Sequence, residues 1–212
     1  MAAGSTRVVV AALIGNGLIA ITKFAAAAYT GSSAMLSEAI HSVVDTGNQA
    51  LILFGIRQSK KPADEDHPFG YGMELYFWTF VVAILIFAAG AGVAVYEGAE
   101  KIRYPHPVGN AFINYIVLGA AMVFEAVAWW LAFKEFEERR GQKSYISAVR
   151  ESKDPALFTV LFEDTAAMLG LIIAFAGIGL GQVFEMPVLD GVASVLIGIT
   201  LAVVAAVLAR EC

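Results

Sequence analysis

His41 and Asp45 stand four residues apart in the run SEAIHSVVDTGNQ, so on a helix they lie one turn apart with converging side chains. Two ligands on one helix need that spacing to share a divalent cation. A mixed imidazole and carboxylate set suits Zn²⁺, with Fe²⁺, Mn²⁺, Co²⁺ and Ni²⁺ as further candidates. Glu38 precedes them in the same run, and a second acidic pair, Glu163 and Asp164, sits in LFEDTAAMLG. If the two segments pack together, Asp164 can meet His41 and Asp45 and complete three donors. One neutral imidazole and two carboxylates would then match the charge of a divalent ion. The competing reading is a hydrogen-bonded polar seam that glues helices together. Two carboxylates make such a seam costly.

The elements that must position these groups are membrane helices. The chain has 212 residues, 58% of them hydrophobic and 16% charged, with a mean hydropathy of +0.70. That balance is far more apolar than a soluble domain carries. Crossing the hydrocarbon takes roughly 20 apolar residues, and six stretches qualify: about 8–29, 33–57, 75–99, 111–134, 155–180 and 187–209. The turn TGSS offers serines that can cap the second helix, YPHPVGN breaks the chain with two prolines, and Pro155 suits a first helical turn. Backbone groups within lipid must be bonded inside their own segment, so the spans are helices and not strands. The fold expected is an all-α membrane protein, one transmembrane domain over 1–212.

Basic residues set the orientation, because Lys and Arg are retained on the cytoplasmic side. Arg7, Arg57, Lys60, Lys61, Lys134, Arg139, Arg140, Lys143, Arg150, Lys153 and Arg210 fall on one side; only Lys101 and Arg103 fall on the other. Both termini and the loops 58–74 and 135–154 are therefore expected in the cytoplasm. The setting expected is a bilayer, that of a bacterial inner membrane. A net charge of −5 argues against a nucleic-acid partner and leaves cations as the natural cargo. The single cysteine, Cys212, permits neither an intrachain disulfide nor a thiolate cage.

Ionisable groups at a helix centre each cost about 2.5–3.5 kcal/mol on insertion scales, so they face a bundle interior and mark a pathway or a site. On the second helix Ser37, Glu38, His41, Ser42, Asp45, Asn48 and Gln49 fall within about 140° of one another, one polar face on an apolar cylinder. Lys23, on the first helix, could pair with Glu38, Glu97 or Glu125, or snorkel outward. Glu125 in the fourth helix needs a partner or a proton. His106, between two prolines, reads as a loop residue only. The aromatic runs ELYFWTF and WW read as anchors at the lipid headgroups.

The segments SSAMLSEAIHSVVDTGNQ, KKPADEDHPFGYGMELYFW and EDTAAMLG together resemble the cation diffusion facilitator family, six-helix exporters of zinc and related divalent cations. The resemblance covers residues 10–209. It implies a transport site with two ligands on the second helix, matched here by His41 and Asp45, and two on the fifth, of which Asp164 matches one. Val160 stands where relatives place the other, so a fourth ligand must be Glu163, which we favour, Glu38, or water. HPFGYG departs from the common HPYGHG form: Tyr71 replaces a histidine of a cytoplasmic accessory site, leaving Asp64 and His67 as a weak site or as loop-ordering groups. Relatives usually continue into a cytosolic metal-binding domain, and the expectation here is a short member without it. The resemblance also implies a homodimer, which would then meet through the small-residue surface GAGVAVYEG at 90–98.

The function expected is therefore a zinc exporter that works by alternating access and exchanges metal for protons, with no enzyme activity and no organic cofactor. Ligands must be deprotonated to hold metal, which couples the two ions. Two other readings stand beside it. One is a membrane scaffold whose polar face is structural. The other is an intramembrane metal hydrolase with Glu163 as its base, against which stands the absence of HExxH, GxGD and GxSxG.

Overall fold

The computed structural model describes residues 3–108, 110–141 and 155–211. Every regular element among them is helical: α1 (Ala3–Thr30), α2 (Ser33–Gln58), α3 (Glu74–Arg103), α4 (Ala111–Arg140), α5 (Pro155–Val183) and α6 (Val188–Glu211). Six helices cover the six apolar stretches, with α1, α3, α4 and α5 running several residues further than hydropathy suggested. Pro155 is the first residue of α5. Residues 142–154 of the second basic loop, with Lys143, Arg150 and Lys153, lie outside the described residues, as does Cys212.

Five of the helices are long and apolar enough to cross a membrane, and α2 is not among them. Its 26 residues reach about 39 Å at 1.5 Å per residue, so length is sufficient. Its polar side chains are what set it apart. Such a helix can stay in the bundle only if others surround it, and α2 packs against α1, α3, α5 and α6. Ser37, Glu38, His41, Ser42, Asp45, Asn48 and Gln49 are all buried.

The remaining helices pack through small residues. A Cβ at Gly98 of α3 would stand 2.6 Å from the Gly191 carbonyl of α6, so only glycine permits this approach. Gly90, Ala91, Ala94 and Gly98 are buried, and Gly90 faces Leu201 of α6. Much of the small-residue surface expected to meet a second copy is thus used within the chain, where it seats α6. A π-helical turn at Ile86–Ala91 lies inside α3, at the start of this contact.

One end of the bundle is closed by a polar lock. Ser32 is the N-cap of α2, as its sequence suggested, with its Oγ accepting from the Met35 amide at 3.1 Å. Asp190 of α6 accepts from Ser32 Oγ at 2.7 Å and from the Ser33 amide at 2.8 Å, which puts a carboxylate on the positive end of α2. Lys101 Nζ lies 3.7 Å from Asp190 Oδ2 and donates to the Gly31 carbonyl at 3.0 Å and to His106 Nδ1 at 2.8 Å. Gly31 turns the chain at φ +68°, a left-handed conformation that glycine adopts without strain. His106 is therefore more than a loop residue: it receives a proton donor from the end of α3. Asp190→Ala leaves Lys101 buried without its counter-ion and removes the carboxylate from the start of α2, and should destabilise the fold by about 3–5 kcal/mol. Denaturant unfolding in detergent micelles measures it; a loss below about 1 kcal/mol, the range of an exposed pair, would contradict the lock.

Candidate metal centre

Helix α2 brings His41 and Asp45 together as their spacing requires, with His41 Nδ1 3.4 Å from Asp45 Oδ1 and both side chains buried. Across from them on α5, Glu163 and Asp164 are buried as well. Asn48 Nδ2 donates to Glu163 Oε1 at 2.9 Å, and Glu38 lies against Gly170 so closely that any side chain at 170 would collide with Glu38 Oε1. These two contacts fix an antiparallel register between α2 and α5. They bracket His41 and Asp45 on one helix and residues 164–169 on the other, which puts Asp164 at the depth of Asp45.

Buried polar atoms are almost always hydrogen-bonded, and here a group of them is not. Among the described residues no hydrogen-bond partner meets either ring nitrogen of His41, Asp45 Oδ1, Glu163 Oε2, Asp164 Oδ2 or the two oxygens of Glu125. Buried nitrogen and oxygen donors left in this state are groups that a cation would satisfy. In this conformation the set is not closed: among the described residues no three His, Cys, Asp or Glu side chains stand together tightly enough to hold an ion. His41 lies beside Asp45, Glu163 is paired with Asn48 and Glu38 with Lys23, while Asp164 Oδ2 has no hydrogen-bond partner among the described residues. Val160, the apolar residue one turn before Asp164, is buried in the core and supplies no donor.

Lys23 chooses among its three sequence candidates. Its Nζ donates to Glu38 Oε2 at 3.0 Å and to Ser42 Oγ at 2.9 Å, wholly inside the bundle. It neither snorkels nor joins Glu125.

A family model described as the cation efflux transmembrane domain matches residues 9–212. The chain belongs to the cation efflux family, the cation diffusion facilitators. It is 37% identical over 97% of its length to the human protein named proton-coupled zinc antiporter SLC30A9, mitochondrial, and spans 36% of that protein. It is 30% identical over 95% of its length to metal tolerance protein C4 of Arabidopsis thaliana, spanning 44% of it. Cation-efflux pump FieF of Shewanella oneidensis is 28% identical over 78% of this chain, which covers 54% of the pump. The chain thus spans between about a third and about half of these relatives.

Outside the bundle of this cation efflux domain, Asp64 and His67 make contacts within the 58–74 loop. Asp64 Oδ1 accepts from the His67 amide at 2.8 Å, and its Oδ2 accepts from the Tyr71 hydroxyl at 2.6 Å. The His67 ring stacks on Tyr71 with centroids 4.1 Å apart. Tyr71 is thus hydrogen-bonded to Asp64 and stacked on His67, a clasp within the loop. Sequence reasoning missed Asp190, Lys101 and Asn114 as buried polar partners. Asn114 accepts from Thr30 across 84 positions, a pairing that no local pattern announces.

The Tyr71 hydroxyl, and then the His67 amide, hold the Asp64 carboxyl below the ordinary carboxylate range. A carboxyl lowered by folding adds stability above its unfolded pKa, and that contribution is lost as pH falls through the folded value. Tyr71→Phe should move the Asp64 midpoint upward in an NMR titration of its side-chain carboxyl and open the loop at a higher pH. A midpoint unmoved by the substitution would contradict the clasp.

Proposed function

We propose that this domain carries a divalent cation, zinc above Fe²⁺, Mn²⁺, Co²⁺ and Ni²⁺, across the membrane between α2 and α5 in exchange for protons. His41, Asp45 and Asp164 hold the ion, with Glu163 or a water as fourth donor. The observation that carries this reading is the set of unpartnered buried donors on the facing surfaces of α2 and α5. The name of the human relative, a proton-coupled zinc antiporter, supports zinc as cargo and protons as the counter-flow. The name of the bacterial pump supports efflux.

The three donors lie on two facing helices, and alternating access would bring them onto one point. An ion arriving from the cytoplasm draws Asp164 toward the His41 and Asp45 pair. The lock of Asp190, Lys101 and the α2 cap keeps the opposite end shut in the meantime. Proton and metal compete for the same carboxylate oxygens, so protons entering from outside displace the ion there, and loading from the cytoplasm releases them. The distribution of basic residues supports a cytoplasmic position for both termini. Exchange of this kind needs a membrane bearing a proton gradient, as a bacterial inner membrane does. A homodimer, implied by family resemblance, would meet on a face other than the glycine surface of α3.

His41→Ala or Asp45→Ala should abolish zinc uptake into inverted vesicles while the helical circular dichroism spectrum stays that of the wild type. Wild-type uptake in either variant would refute the assignment. Zinc movement also separates this reading from a scaffold, which carries nothing.

A further inference from the structure

Glu38, His41 and Asp45 occupy one face of α2, three and then four residues apart, so Glu38 is placed as well as Asp45 to reach an ion bound to His41. Two contacts turn it elsewhere. Lys23 Nζ, with no exposed surface, holds Glu38 Oε2 at 3.0 Å and is itself steadied by Ser42 Oγ at 2.9 Å. Gly170 of α5 leaves the space that Glu38 Oε1 fills. The carboxylate is thus seated between α1 and α5, its Oε2 held by Lys23 and its Oε1, against Gly170, without a hydrogen-bond partner among the described residues.

We propose that Lys23 is a tethered counter-ion that sets which cations the site accepts, by keeping Glu38 out of the metal's coordination sphere. This rests on the transport reading above. With Glu38 neutralised by Lys23, the donors left are one imidazole and the carboxylates of Asp45 and Asp164, a nitrogen-containing set of matching charge for Zn²⁺. Releasing Glu38 adds a further carboxylate. The set then becomes richer in oxygen and more anionic, which is the environment that Mn²⁺ and other hard cations take in preference. An ammonium suits the part because it neutralises Glu38 and, having donors only, binds no metal itself.

The test uses the full chain in proteoliposomes and measures Zn²⁺ and Mn²⁺ uptake in competition for the wild type, Lys23→Met, Glu38→Gln and the double variant. Lys23→Met should lower the zinc-to-manganese ratio by about ten-fold or more, a difference of one extra hard ligand. Glu38→Gln leaves an unpaired ammonium beside the site and should depress uptake of both ions. The double variant, which removes both charges, should recover uptake and return the ratio to the wild-type side. A side chain that only braced the bundle would change amounts of folded protein and leave the ratio alone. An unchanged ratio in Lys23→Met, or a double variant with Glu38→Gln levels of uptake, overturns the proposal. If Lys23→Met does not fold, the comparison of Glu38→Gln with the double variant decides alone. A wild type that carries neither ion overturns the transport reading and this one with it. A transporting wild type with an insensitive Lys23→Met overturns this one alone.

Discussion

The face of α2 from Ser37 to Gln49 carries an imidazole, two carboxyls, two amides and hydroxyls through a region where lipid offers no hydrogen bonds. Each charge left uncompensated there costs several kcal/mol. Packing answers that demand side by side. Lys23 of α1 meets Glu38, Glu163 of α5 meets Asn48, and Ser194 of α6 meets Ser37 at 2.5 Å while donating to the Ala94 carbonyl of α3. The helices around α2 are arranged by what its polar face needs.

Among the described residues the compensation is incomplete at several buried groups, and most of them are the carboxyls and the imidazole of the candidate site. Five carboxyl groups lie buried in the bundle's middle, Glu38, Asp45, Glu125, Glu163 and Asp164, with Lys23 as the ammonium among them. Lys23 pairs with one of the five. A bundle built for stability alone would replace the others with apolar side chains, which is often neutral or stabilising. Keeping them gives the interior a standing affinity for positive charge, whether as protons or as a divalent ion. The transport by exchange proposed above would draw on that property.

Much of this was legible in the residues. Apolar run lengths marked six helices, the 100° rotation per residue marked the face of α2, and Ser32 announced itself as a cap. Contacts that depend on how a helix is rotated about its own axis were not. Lys23 had three candidate partners because the sequence does not say which side of α1 faces α2. Asp190, an acid in the first turn of α6, reads as a complement to its own helix dipole, yet it caps α2 from 156 to 158 positions away. The run at 90–98 shows the small residues a close contact needs, but not whether the neighbour is a second copy or α6. Tertiary packing decided each of these, and periodicity carries no record of it.

The site's central requirement is one divalent ion bound at mid-depth by side chains from both α2 and α5. Anomalous scattering from crystals soaked in Zn²⁺ measures that directly. The expected result is a single intramembrane peak ligated by His41, Asp45 and Asp164. A peak bound by α2 alone, or His41 and Asp164 facing opposite sides of the bundle with no ion between them, would contradict it.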